Sequence, residues 1–84
     1  MQPEEIKAMV EAELAGASAS VKSDGSHYEL TVICDAFAGL GRLQREQQIN
    51  RILAEAITSG AVHALTNRLY TQAEWDTASK LQVS

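Results

Sequence analysis

The dipeptide Asp24-Gly25 constrains the fold of this chain more than any other feature. A tight type I′ turn needs positive φ at both central residues, and Asp-Gly is one of the pairs that best tolerates this. Residues 17–23 before it alternate weakly between small or apolar and polar side chains. The residues after it alternate strongly, with apolar side chains at Tyr28, Leu30, Val32 and Cys34. We therefore predict a β-hairpin with strands near 17–23 and 27–34, the first of them an edge strand.

Three other stretches have the periodicity of amphipathic helices. Residues 3–15 begin with Pro and two Glu, which suit a helix start, and then carry one apolar stripe. Residues 42–58 carry a second stripe, made of Leu43, Ile49, Ile52, Leu53, Ala56 and Ile57. Thr71 and Glu74 have the T-x-x-E spacing of a capping box, which predicts a third helix over 72–80.

The stretch 62–69, "VHALTNRL", predicts a third strand. The order is then α-β-β-α-β-α, and the sequence leaves the direction of the third strand open. The 84 residues suffice for one small domain over 1–84. We predict a two-layer α+β fold, a three-stranded sheet with the helices on one face.

Composition excludes several classes of protein. A single cysteine rules out an internal disulfide, and a net charge of −4 gives no overall basic surface for nucleic acid. No apolar stretch approaches the length of a membrane span, and "MQPEEIKAMV" lacks the features of a signal peptide. We therefore expect a cytoplasmic protein without a membrane partner. The sequence also shows no catalytic constellation, so we expect it not to be an enzyme.

Three segments carry a family resemblance: "DGSHYELTVI", "FAGLGRLQREQQI" and "VHALTNRLYTQAEW". In order and spacing they resemble the BolA family, and in particular its shorter, IbaG-like branch. Arg45-Glu46 stands where many relatives have Arg-His, and the IbaG-like branch also lacks that histidine. Gln72 stands where proline is commoner in the family. The resemblance implies a class II KH-like fold. It also implies a non-enzymatic role in iron–sulfur cluster trafficking, in which a monothiol glutaredoxin shares a bridging [2Fe–2S] cluster with this protein and contributes glutathione.

The resemblance assigns the metal-binding role to two histidines. It makes His63 one cluster ligand and His27 the second, with Cys34 as a minor alternative. Read from the residues alone, His63 is a partly buried strand histidine on the side of Leu65 and Leu69, His27 is an exposed loop residue, and Cys34 is a small buried hydrophobe. Imidazole suits iron, and two histidines can replace two thiolates on one iron. Two histidines under-coordinate a metal, which indicates a site completed by a partner.

Arg42, Arg45 and Arg51 support an alternative function. They lie along the second predicted helix and could form a basic face. The alternative is a small nucleic-acid-binding transcriptional regulator with DNA as its partner, and the competing interpretation is an ordinary solvated helix face. Trp75 is expected to be a packing anchor of the third helix. Whether the protein forms a homodimer is left open.

Overall fold

The computed structural model of the chain describes residues 1–25 and 27–82. A short 3₁₀ turn over Asp35–Phe37 separates the first hairpin from the helices that follow. The other elements are α1 (Pro3–Glu13), β1 (Ser18–Asp24), β2 (His27–Ile33), α2 (Arg42–Ile52), α3 (Ala54–Thr58), β3 (Ala64–Tyr70) and α4 (Gln72–Gln82). The predicted α+β class and the order of its elements are confirmed. No helix of the described residues is long and apolar enough to cross a membrane.

The sheet has the order β1-β2-β3. β1 and β2 are antiparallel, with Asp24 opposite His27, and Gly25 between them has a φ of +64°. The predicted hairpin is therefore confirmed, but Asp24 is the last paired residue of β1 and has no positive φ, so Asp24 and Gly25 are not together the central pair of a type I′ turn. β3 runs parallel to β2, with His27 opposite Ala64 and Ile33 opposite Tyr70. A parallel neighbour requires a crossover, which α2 and α3 provide.

One face of the sheet holds the core. Tyr28, Leu30 and Val32 of β2 are buried there. Five residues of the crossing helices are also buried and belong to the same cluster: Ile6, Val10, Ile49, Leu53 and Ala56. Each buried aliphatic side chain of this kind stabilises the fold by about 1.5–3 kcal/mol relative to its exposed state. Helix α4 instead contacts β3, and its Trp75 borders the opposite, open face of the sheet.

The third strand begins two residues later than predicted. Val62 is buried, but its N–H donates to the carbonyl of Ala56 at 3.1 Å and so ties this residue to α3. Regular strand pairing starts only at Ala64, which leaves His63 just outside the strand. The first helix is also shorter than predicted, because Leu14 already has an extended backbone with φ −112° and ψ 105°.

The predicted second helix is two helices. It breaks at Leu53, whose φ of −99° and ψ of 14° depart from helical values. Neither glycine nor proline marks this point, so local sequence signals could not reveal it. Ile49, Leu53 and Ala56 are buried on both sides of the break. Leu43, which the helical stripe placed on the apolar face, is 67% exposed.

Candidate functional site

The two histidines lie at the same end of the sheet. His27 is the first residue of β2, and its Cα partner in β3 is Ala64, which directly follows His63. Adjacent strands lie about 5 Å apart and consecutive Cα atoms about 3.8 Å apart, so the two histidine Cα atoms lie within about 9 Å of each other. Both residues are exposed. Strand pairing thus brings the backbones of two histidines that are far apart in the sequence to the same end of the sheet.

A neighbouring hydroxyl holds the ring of His27. Its Nε2 lies 2.8 Å from Oγ1 of Thr66, a residue of β3 on the same open face. When Nε2 carries the proton and donates to this hydroxyl, Nδ1 presents its lone pair to solvent. Histidines that ligate metals are commonly oriented in this way, by a hydrogen bond from the ring nitrogen that does not bind the metal.

Strand alternation predicted a partly buried His63, and this prediction is wrong, because the residue is exposed. It stands before the first paired residue of β3, so alternation does not apply to it. Its ring lies over the turn from α3 into β3, where a Cβ built on Gly60 would come 3.5 Å from Cε1 of His63. Gly60 has a φ of +81°, which favours glycine there independently of the contact.

Cys34 does not join the histidines. It follows β2 at the end remote from His27, about 23 Å away at the usual strand rise. Its side chain is buried, and Sγ lies 3.7 Å from the carbonyl oxygen of Ala15. Over residues 1–25 and 27–82, no group of three or more His, Cys, Asp or Glu side chains is placed to hold a metal ion.

Arg45 is enclosed in a network that sequence reasoning missed. Its side chain is only 12% exposed, and it makes two bonds to the carboxylate of Glu74, at 2.6 and 3.2 Å. It also donates to the carbonyl oxygens of Leu40, at 3.0 Å, and Leu69, at 3.1 Å. The guanidinium carbon lies 5.6 Å from the ring centroid of Phe37. Arg45 therefore joins α2, β3 and α4 instead of projecting from a basic face.

Glu74 has a strongly perturbed pKa. The hydrogen bonds from Arg45, and then the one from the backbone N–H of Thr71, lower the pKa of this carboxyl to about 2. Thr71 N–H donates to Oε1 of Glu74 at 2.8 Å, and the N–H of Glu74 donates to Oγ1 of Thr71 at 3.2 Å. The predicted capping box is therefore present, and its carboxylate also serves the arginine.

The remaining arginines stand at the surface. The side chain of Arg42 is 87% exposed, and its nearest ion partner is Glu46 at 3.4 Å. Arg51 is exposed at the end of α2, and Arg68 pairs with Glu29 at 3.2 Å across the open face. The predicted basic face of α2 thus keeps two solvent-exposed arginines, Arg42 and Arg51.

Trp75 is half-buried and packs on Tyr70. Their ring centroids lie 5.5 Å apart, with the ring planes tilted by 52°. The expected packing role of Trp75 is therefore local, at the junction of β3 and α4, and its side chain borders the open face and not the core.

The fold and site define a class of protein: a small two-layer α+β domain with a mixed three-stranded sheet that presents two exposed imidazoles at one end. This chain belongs to the BolA family, since the BolA-like protein family matches residues 1–74. It is 31% identical to acid stress protein IbaG of Escherichia coli K12 over 81 residues, and this alignment covers 96% of each chain.

Two further relatives extend the comparison. The DNA-binding transcriptional regulator BolA of Vibrio cholerae is 32% identical over 74 residues, which is 88% of this chain and 66% of that protein. The solved structure of a BolA homologue from Coxiella burnetii is 30% identical and superposes with a TM-score of 0.79 over 90% of this chain and 97% of that one. About nine-tenths of the chain therefore follows the fold of that homologue.

Proposed function

We propose that this protein is a non-enzymatic adaptor in iron–sulfur cluster trafficking, which binds a monothiol glutaredoxin and shares a bridging [2Fe–2S] cluster with it. The observation that carries the proposal is the pair of exposed imidazoles of His27 and His63 at one end of two adjacent strands. Histidine nitrogen is a ligand that iron accepts, including in [2Fe–2S] centres that carry two histidines.

The ligand set is incomplete on this chain, and that supports a shared site. Two imidazoles under-coordinate a metal ion, and no third His, Cys, Asp or Glu side chain of the described residues joins them. A partner that brings thiolates would complete the coordination. In this arrangement the cluster is cargo held between two proteins, with glutathione contributed by the glutaredoxin.

The surroundings of the histidines suit the approach of a second protein. Ala64 and Gly60, the small residues beside His63, leave its ring uncovered, and Ala64 is itself exposed. The hydrogen bond between His27 and Thr66 fixes one ring without enclosing it. Both imidazoles can therefore meet a partner surface without a rearrangement of the core.

The proposal is tested by the visible circular dichroism of the complex with a cluster-loaded monothiol glutaredoxin. We expect His63→Ala to abolish or change the signal of the mixed complex, because the imidazole nitrogen is lost. His63→Cys should restore a cluster signal with a different spectrum, since thiolate also binds iron. Cys34→Ala serves as the matched control and should leave the signal unchanged. An unchanged signal in His63→Ala, with its melting temperature also unchanged, would overturn the proposed role.

Nucleic-acid binding has less support. The relative from Vibrio cholerae is described as a DNA-binding transcriptional regulator, which keeps DNA as the alternative partner. Of the three arginines considered for that role, Arg45 is committed to internal bonds with Glu74 and two backbone carbonyls. The net charge of −4 also opposes phosphate at long range.

A further inference from the structure

The free edge of β3 carries unused backbone groups. The carbonyl of Tyr70 accepts from the N–H of Cys34 at 2.8 Å, so the backbone groups of Tyr70 face β2. Successive residues of a strand direct these groups to opposite sides, which turns those of Leu65, Asn67 and Leu69 outward. Arg45 occupies the carbonyl of Leu69. Within residues 1–25 and 27–82, the outward N–H and C=O groups of Leu65 and Asn67 have no hydrogen-bond partner.

The other edge of the sheet is protected at its start. On β1 the N–H of Ala19 donates to Oε2 of Glu11 at 3.0 Å, and its carbonyl accepts from Nζ of Lys7 at 2.8 Å. The same Lys7 and Glu11 side chains form an ion pair. Helix α1 thus covers an edge position that would otherwise be available to another strand. Among the residues that the structure describes, none bonds the outward backbone groups of Leu65 or Asn67 in this way.

A groove adjoins the open part of the β3 edge. It lies between α2, β3 and α4 and has a volume of about 960 Å³. The apolar side chains that line it are those of Leu40, Leu69, Ala73 and Ala78. Asn67 also lines it, and its Oδ1 is buried without a hydrogen-bond partner among the described residues. An unpaired buried acceptor favours a ligand that brings a donor.

The charges around the groove favour an acidic ligand. Its lining contains three arginines and two glutamates, and each glutamate is already paired with an arginine of the lining. Arg42 at the rim is 87% exposed, at 3.4 Å from Glu46. Arg68 is half-exposed and held by Glu29 outside the groove. The lining thus has one arginine more than it has glutamates, and an incoming carboxylate would meet the exposed guanidinium of Arg42 on a protein that is acidic overall.

We propose that the free edge of β3 binds an extended, acidic segment of a partner protein as a fourth strand. The partner's backbone would pair with Leu65 and Asn67, an apolar side chain would enter the groove, and a carboxylate would meet Arg42. From Leu65 to Leu69 the edge accommodates about five residues, or roughly 16 Å. The groove lines the end of β3 remote from His63, so this site stands whether or not the proposed cluster role does. Strand addition of this kind takes affinity from main-chain bonds and specificity from side-chain pockets.

The first experiment uses a phage-displayed library of random heptapeptides, selected on the folded full-length protein. We expect enrichment of peptides with acidic residues, and synthetic copies of them should shift the amide NMR signals of residues 65–69. N-methylation of one alternate set of peptide nitrogens, the set that faces β3, should abolish binding, because it removes the donors that strand pairing needs, whereas methylation of the other set should be tolerated. Failure to enrich peptides, shifts confined to another surface, or binding that survives N-methylation of each of the two sets would overturn the proposal.

Variants of the protein separate the edge from the rest of the fold. Arg42→Glu changes an exposed side chain and should weaken the selected peptide roughly tenfold, as expected for reversal of a rim charge. Asn67→Pro removes an outward N–H without breaking a bond to β2, and should abolish binding. Ser23→Pro removes an outward N–H from β1 and is the matched control that should bind normally. Equal losses in both proline variants would contradict the assignment to β3.

A second copy of this chain is the competing occupant. Sedimentation velocity on the free protein from 10 to 500 µM (about the range that separates weak dimers from monomers) tests it. We expect a monomer throughout that range. A dimer whose dissociation shifts the amide signals of residues 65–69 would show that the edge pairs with itself, and would overturn the assignment to a partner protein.

Discussion

Arg45 and Glu74 are joined by two hydrogen bonds, at 2.6 and 3.2 Å, across 29 residues of sequence. The pair ties the start of α2 to the start of α4. Because the same guanidinium also holds the carbonyl of Leu69, three elements meet at one side chain. Arg45 therefore fixes the position of α4 relative to the sheet, together with the packing of Trp75 on Tyr70.

Arg45→Ala should destabilise the protein by about 2–3 kcal/mol. The change leaves the carbonyls of Leu40 and Leu69 without their charged donor, and bonds to charged groups contribute about 1.5–3 kcal/mol each. Urea unfolding followed by far-ultraviolet circular dichroism measures the difference. Arg42→Ala, on the exposed face of the same helix, should change stability by no more than about 0.5 kcal/mol. Equal effects of the two substitutions would contradict the structural role of Arg45.

Glu74 should make stability fall in acid. Its pKa is about 2 in the folded protein against an ordinary value of 4.5, so below pH 4.5 the unfolded chain takes up the proton more readily. The stabilisation is complete above pH 4.5 and is lost as the pH falls toward 2. Glu74→Gln should lower the melting temperature at pH 7 and flatten its decline between these values. Glu13→Gln, at an exposed position of α1, is the control; an unchanged slope in Glu74→Gln would refute the prediction.

Local signals in the sequence predicted most of the fold. Asp24-Gly25 locates the hairpin to within one residue, since Asp24 still pairs with His27, and the spacing of Thr71 and Glu74 gives the start of α4. Both signals act over a few residues, where backbone geometry decides the outcome. The sequence did not give the direction of β3, because a strand's periodicity is the same in both directions. It also placed the start of β3 two residues too early, at Val62, because apolar periodicity does not reveal that the N–H of Val62 donates to the carbonyl of Ala56 instead of pairing with β2.

The candidate site was predictable only in part. Sequence resemblance indicated His27 and His63, and strand pairing brings them to one end of the sheet. The hydrogen bond between His27 and Thr66 had no local signal, because the partners are 39 residues apart. The same holds for Arg45, whose polar neighbours in the sequence predict a surface residue, because its ion pair with Glu74 joins positions that are far apart in the chain. Side chains of long, charged residues depend on distant partners that periodicity does not encode.

Thr66→Val should weaken the sharing of a cluster with a glutaredoxin by about tenfold. The threonine hydroxyl orients His27, and removal of such an orienting bond commonly costs 10- to 100-fold in metal affinity, so about tenfold is expected for one bond on an exposed ring. Titration of the mixed complex by visible circular dichroism measures the change. Thr31→Val, on the same face of β2, controls for the loss of a surface hydroxyl. Equal affinities for Thr66→Val and the wild type would exclude an orienting role.

Glu11→Ala should open the β1 edge to pairing with another strand and so increase self-association. The hydrogen bond from Lys7, and then the one from the N–H of Ala19, lower the pKa of Glu11. The Glu11 carboxylate thereby covers the N–H of Ala19 and holds Lys7 over the carbonyl of Ala19. Without the carboxylate, both backbone groups become available to another strand. Light scattering during incubation at 37 °C should show faster self-association of Glu11→Ala than of the wild type. Glu13→Ala, two residues further along α1, should behave like the wild type, and an equal increase in both variants would point to lost charge instead of the opened edge.

Duplex DNA should bind this protein only weakly, with a dissociation constant above about 10 µM at physiological salt, in the range of non-specific contacts. The net charge of −4 repels phosphate, and the structure leaves Arg42 and Arg51 as the exposed arginines of α2. Fluorescence anisotropy with a labelled 20-base-pair duplex at two salt concentrations (about 50 and 150 mM, where counterion release is measurable) provides the measurement. The informative variant is Arg42→Glu combined with Arg51→Glu, because substitution of Arg45 would disturb the fold as well. Sub-micromolar binding that this double variant abolishes would contradict the prediction and restore the basic face of α2 as a nucleic-acid site.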